Sequence, residues 1–315
     1  MFQPSPDVYQ WLMAGDPCIQ YMSEKYLRGN MNPELQKMAV QSGWAKTYME
    51  AQKEDGYWGQ GFYQPKWIST HYSLLDLRNM EIPQDNSRIK TPLTHILQHH
   101  KSQDGGVNPA RSIQQSDVCV NGMFLRYACY FCVPEDDLKS VVDFVLLQQL
   151  PDGGFNCMYN RSGARHSSLH STLSLLEGLC EYLHWGYNYR SQEITDVVRQ
   201  GEEFILLHRL YKSDHTGEII KKQFLKFQHP SGWYYNILRA LEYFADNNRE
   251  YDRRMTDAME YVLSKRDPSG KWKLAAYPTG QYHIKMEKAG KTSRWITLKA
   301  LKVLQAFAQN EIEMG

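Results

Sequence analysis

Three stretches of this 315-residue chain share one pattern: Gln52-Lys-Glu-Asp-Gly56-Tyr-Trp58, Gln149-Leu-Pro-Asp-Gly153-Gly-Phe155 and Arg266-Asp-Pro-Ser-Gly270-Lys-Trp272. A weaker copy reads Gln103-Asp-Gly105-Gly-Val107. In each, the tail of a helical stretch meets a polar turn, a glycine and usually an aromatic residue. A unit repeated in this way cannot bury its apolar face alone, so its copies must stack. The repeat runs without a Gly/Ser tract, Pro-rich stretch or charge block between copies, and this predicts one domain over residues 1–315.

Between the marks the apolar residues recur with helical period, and strand-like alternation is scarce. Two kinds of helix alternate. Residues 34–52, 88–101, 135–149, 192–211 and 251–266 mix apolar and charged residues, as helices with one solvated face do. Residues 68–80, 118–131, 169–187, 233–246 and 296–308 are more apolar around their circumference, which predicts burial on most sides. Residues 7–14 and 17–28 supply one more helix of each kind. The expected architecture is all-α: a closed α6/α6 toroid with a polar outer ring and an apolar inner ring.

Composition narrows the partners. Lys and Arg total 36 against 35 Asp and Glu, a net charge of +1, which gives no reason to expect nucleic acid or an anionic membrane. The N-terminal residues lack a basic start and an apolar run, and no stretch of ~18 apolar residues exists, so neither a signal peptide nor a transmembrane segment is expected. Six cysteines without regular spacing predict reduced thiols and a cytoplasmic location. Cys129-Tyr-Phe-Cys132 lacks a second pair and reads as helix interior. Pro134-Glu-Asp-Asp137 reads as an acidic first turn at the positive end of a helix dipole.

The Gln-x-x-x-Gly-x-Trp element resembles the repeat of squalene and terpene cyclases and of protein prenyltransferase β subunits, and the likeness covers nearly the whole chain. The resemblance implies an α/α toroid with a central cavity, its functional residues at the inner-helix starts, and a bacterial branch of that superfamily. Cyclases that protonate an alkene carry Asp-x-Asp-Asp where this chain has Asp117-Val-Cys119-Val120. A thiol of pKa about 8.5 cannot deliver that proton, so the cyclase reaction is not expected.

The prenyltransferase subunits carry Asp-x-Cys at this place and a histidine at the next inner helix. The resemblance therefore implies a zinc site of Asp117, Cys119 and His170, with Arg111 and Arg165 or Arg294 facing a diphosphate. Gln114 stands where that family has a lysine, which weakens a diphosphate clamp. The same three residues also admit a structural reading, with Asp117 as helix cap, Cys119 as a small buried residue and His170 bonded to backbone.

Further polar and aromatic residues at inner-helix starts are Trp67, His71, Asn121, His166, His229, Trp233, Tyr234 and Trp295. Together they predict a polar mouth over an apolar barrel, suited to an isoprenoid or other amphiphilic ligand. Glu287 beside Arg294 predicts an ion pair at the rim. The function expected first is an isoprenoid-binding protein, a zinc-dependent transferase of the prenyltransferase kind. The alternatives are a non-catalytic toroid for a lipid or a partner protein and, last, a carbohydrate-active toroid, which needs paired carboxylates in its cavity.

Overall fold

The computed structural model describes residues 3–110, 114–158 and 162–307. These residues form thirteen α-helices, three short 3-10 turns and no β-strand. We number the helices α1 (Pro6–Met13), α2 (Pro17–Arg28), α3 (Pro33–Gln41), α4 (Trp44–Glu50), α5 (Thr70–Asn79), α6 (Ser87–His99) and α7 (Val118–Tyr130). They continue as α8 (Glu135–Leu146), α9 (Leu169–His184), α10 (Ser191–Leu207), α11 (Ile237–Asp246), α12 (Thr256–Ser264) and α13 (Arg294–Phe307). The inner ring is α2, α5, α7, α9, α11 and α13, and α13 packs on α2 to close it. The expected α/α toroid is therefore the observed fold. Among the described residues no helix is long and apolar enough to cross a membrane.

The repeated mark has one structural job in every copy. Its glycine adopts a left-handed backbone, with φ of +83° at Gly56, +90° at Gly105, +87° at Gly153 and +81° at Gly270, a region that side chains disfavour. The turn then presents the amide two residues further on to a side chain in the first turn of the following inner helix. Trp58 N–H donates to Thr70 Oγ1 at 3.0 Å, Val107 to Asn121 Oδ1 at 2.7 Å, Phe155 to Thr172 Oγ1 at 2.9 Å and Trp272 to Thr297 Oγ1 at 3.0 Å. The glutamine also serves the turn: Gln52 Nε2 donates to Gly56 O, and Gln149 Nε2 to Gly153 O. The mark is thus a buried latch that ties α4, α6, α8 and α12 each to the inner helix that follows.

Two expected helices differ in extent. Residues 34–52 divide into α3 and α4, because Ser42 is extended and Gly43 has φ +83°. Asp16 stabilises the break, its two carboxylate oxygens accepting the Cys18 and Trp44 N–H groups at 3.0 and 2.7 Å. The helix expected from Trp233 starts at Ile237, where the Asn236 side chain caps Arg239 N–H. Pro134 to Asp137 does form the acidic start of α8.

The tightest inner pair is α7 with α9. A Cβ on Gly122 would lie 2.5 Å from the Ser174 carbonyl oxygen, and one on Gly178 would collide with the Gly122 carbonyl. Two glycines facing one another thus allow backbone contact. On α9 every residue from Ser171 to Tyr182 is buried, His170 being half-buried.

Candidate functional site

At the start of α7, Asp117 is the N-cap, its Oδ1 accepting Val120 N–H at 3.3 Å. Cys119 is the second residue of the helix, in its first turn, and points at the loop that precedes α9. There it forms a disulfide with Cys157, so the expectation that all six cysteines are reduced is corrected: the pair closes a loop across the α7–α9 boundary. Cys18, Cys129, Cys132 and Cys180 are free. Cys119 N–H also faces Cys157 Sγ at 3.0 Å, and the Ser171 hydroxyl sits 3.2 Å from each sulfur. Ser171 Oγ in turn accepts Cys157 N–H at 3.0 Å. One ligand atom from each of Asp117, Cys119 and Cys157 lies within 4.8 Å of the others.

His170 is not in that group. Its Nδ1 accepts Tyr235 N–H at 2.8 Å, and its ring packs on Phe224 and Trp233 at 5.1 Å each. The reason is geometric. Asn121 and Thr172 hold the same place in successive repeats, so Cys119 and His170 are equivalent positions. Equivalent positions point the same way round the ring rather than at each other: Cys119 reaches the loop before α9, and His170 the loop before α11. The residue that meets Cys119 is Ser171, one step further on and about 100° round the helix. The residue whose potential ligand atom lies beside those of Asp117 and Cys119 is Cys157, which the sequence reading missed. Its signal was available, because it stands two residues beyond the latched Phe155 and hence beside the start of α9.

Of the expected mouth residues, several do converge. Trp233 stacks on Tyr234 at 4.1 Å, Trp67 lies 6.0 Å from Tyr234, and His170 joins them. Tyr72 and Tyr282 extend this aromatic wall from the other side of Trp67. Lys66 Nζ lies over both indoles, 5.2 Å from Trp67 and 4.9 Å from Trp233. Trp295 stands in a separate stack with His229 at 4.0 Å and Trp44 at 6.0 Å. Arg165 and His166 are exposed on the loop before α9, and Arg111 lies outside the described residues.

Three residues serve the fold instead. Asn121 spends its amide on Val107 and on the Asp117 carbonyl, and is fully buried. Arg294 turns outward, donating Nε–H to Trp11 O at 2.9 Å and lying over the Trp11 ring. Glu287 accepts Arg294 N–H at 2.6 Å and caps α13, in place of the expected side-chain ion pair. Burial keeps the imidazoles uncharged: it lowers His71 to about 3, with Lys66 adding to the shift, and His170 to about 4, with Lys221 and Arg239 adding. His71 Nδ1 contacts Tyr127 OH, while its buried Nε2 has no hydrogen-bond partner among the described residues.

The opposite end of the ring corrects the expectation of an apolar barrel. The C-terminal halves of the inner helices surround a cavity of about 490 Å³ whose lining is charged. Arg239 grips Glu177 through Nε and Nη2 at 2.8 and 2.6 Å, and Arg126 Nη1 meets the same carboxylate at 2.6 Å. Burial pushes the Glu177 carboxyl up, yet Arg126 and Arg239 outweigh it and hold it at about 2. Arg78 pairs with Glu181 and Lys25 with Glu81. Lys299 and Lys302 meet Glu242 at 2.5 and 2.9 Å, and Lys302 also meets Asp246. The inner helices are buried, as expected, but partly around charge.

No protein-family model matches the chain, and no curated protein matches it in sequence. Its backbone superposes on that of a polysaccharide lyase with TM-score 0.53 at 11% identity, covering 98% of this chain and 97% of that one. A possible member of the GH105 family from Salmonella enterica serovar Paratyphi A gives 0.52 at 11%, covering 94% and 82%. The type II terpene cyclase MstE from Scytonema gives 0.47 at 13%, covering 92% and 88%. Likeness at such low identity extends to the fold and no further. The chain has the α/α-toroid fold.

Proposed function

We propose that the protein binds an amphiphilic ligand at the inner-helix starts, beside a zinc centre formed by Asp117, Cys119 and Cys157 when the two sulfurs are reduced. The observation that carries this reading is the closeness of three ligand atoms of suitable chemistry. Zinc takes carboxylate and thiolate oxygen and sulfur, and a site with three protein ligands keeps a fourth position open. The positive end of α7 favours thiolate at Cys119. Ser171 orients both sulfurs, as an outer partner does around a metal ligand. Bound zinc would hold and activate a thiolate nucleophile, the chemistry of a transferase.

The wall of Trp67, Tyr72, Trp233 and Tyr234 offers apolar area for an isoprenoid tail, and Lys66 offers positive charge for a head group. His170 then belongs to the ligand wall rather than to the metal. The carbohydrate alternative gains carboxylates from the cavity at the far end. However, Glu177 is held ionised between two guanidiniums, which disfavours it as a general acid.

Metal analysis of protein purified with a thiol reductant tests the reading. About one zinc per chain is expected, lost in Cys119→Ala and in Cys157→Ala and retained in His170→Ala. Reduced protein that stays metal-free after incubation with zinc, with both thiols still open to alkylation, overturns it.

A further inference from the structure

The charged cavity at the far end is independent of the sulfur cluster, none of whose residues lines it. The ion pairs described above bring six cations to five carboxylates, an excess of one positive charge over the whole cluster; Lys299 and Lys302 stand behind the lining, on Glu242 and Asp246. Arg126 is where that excess is least answered. Among the described residues it has a single ion pair, through Nη1 to Glu177, while Arg239 already holds both oxygens of that carboxylate. Burial lowers its pKa, and Arg78 and Arg239 add to the shift despite Glu177, so the cation is poorly solvated. A guanidinium presents five N–H donors in a fork that fits a carboxylate, and here most of them are unspent. The neighbouring Arg78 Nε is likewise buried without a hydrogen-bond partner among the described residues.

The remainder of the lining says what else the ligand carries. Glu181, Glu242 and Asp246 accept hydrogen bonds, which suits hydroxyl donors. At the rim, Trp185 stays 38% exposed and packs edge-on against Tyr130 at 6.0 Å, with its Nε1 held by Glu181. An exposed aromatic beside polar groups suits the C–H face of a ring. We propose that this cavity binds a small polyhydroxylated monocarboxylate, anchored by Arg126 and covered by Trp185.

Titration calorimetry of the full chain with D-glucuronate, D-glucose and inorganic phosphate tests this. Saturable binding of glucuronate is expected, at least tenfold tighter than either control. Arg126→Gln should weaken it at least tenfold and Arg126→Lys less. Trp185→Ala, at a half-exposed site that leaves the ion pairs intact, should weaken it at least threefold. No heat with glucuronate, phosphate binding as tightly as glucuronate, or unchanged affinity in both Arg126→Gln and Trp185→Ala overturns the proposal. Zinc content is unaffected by any of these outcomes, so this site and the sulfur centre stand or fall separately.

Discussion

Ser171 Oγ lies 3.2 Å from Cys119 Sγ although His170 holds the position equivalent to Cys119 in the repeat. The serine is the only side chain in these contacts that touches both sulfurs and the Cys157 amide. Replacing it with alanine removes the acceptor for that N–H, a loss of about 1 kcal/mol for a partly buried donor. We expect Ser171→Ala to lower unfolding free energy by that amount and to change the alkylation rate of reduced Cys119 and Cys157. His170→Ala should disturb the start of α11, at Tyr235, and leave the alkylation rate alone. Equal effects of the two variants on that rate would contradict the assignment of Ser171 as the sulfur partner.

The latch of the repeat is testable at Thr172, which is fully buried and accepts Phe155 N–H. Thr172→Val keeps the shape and removes the oxygen, stranding a buried amide donor. Such a group costs about 1–3 kcal/mol. Urea unfolding should show that loss, while Thr172→Ser should recover most of it. Similar stability of the valine and serine variants would mean that the hydroxyl is not the element that secures the turn.

How far the sequence could be read follows from this latch. The glycine and the aromatic residue are local chemistry, visible in one copy and confirmed by repetition, so the helix order and ring followed from them. Contacts between neighbouring inner helices are not local. Matching Cys119 with His170 used the repeat as if equivalence meant contact, and one residue of helical rotation moved the true partner to Ser171 and Cys157. The charged cavity was hidden for another reason. Arg126, Glu177, Arg239 and Glu242 are plain in the sequence, but periodicity assigns a charged residue to solvent. Only the closed ring shows that these side chains meet one another across its axis.

The clearest pH signature belongs to Asp76 on α5, which is buried and accepts Tyr48 OH at 2.8 Å. Burial raises its pKa to about 7, the Tyr48 bond offsetting only part of the shift. The unfolded chain releases this proton near pH 4, whereas the folded chain keeps it to about pH 7. Between those values the native state binds more protons, so stability falls as pH rises through the window and is level above it. A shift of about three units corresponds to roughly 4 kcal/mol. The buried histidines, with His71 at about 3 and His283 at about 4, act in the opposite sense. Their contribution is lost as pH falls below about 6.5, and it is common to wild type and to Asp76→Asn. The asparagine has no proton to lose and can still accept the Tyr48 hydroxyl. The stability of Asp76→Asn relative to wild type should therefore grow by up to roughly 4 kcal/mol between pH 4.5 and pH 8, read from urea unfolding at each pH. A difference that stays constant across that range would mean that Asp76 is ionised in the folded protein throughout.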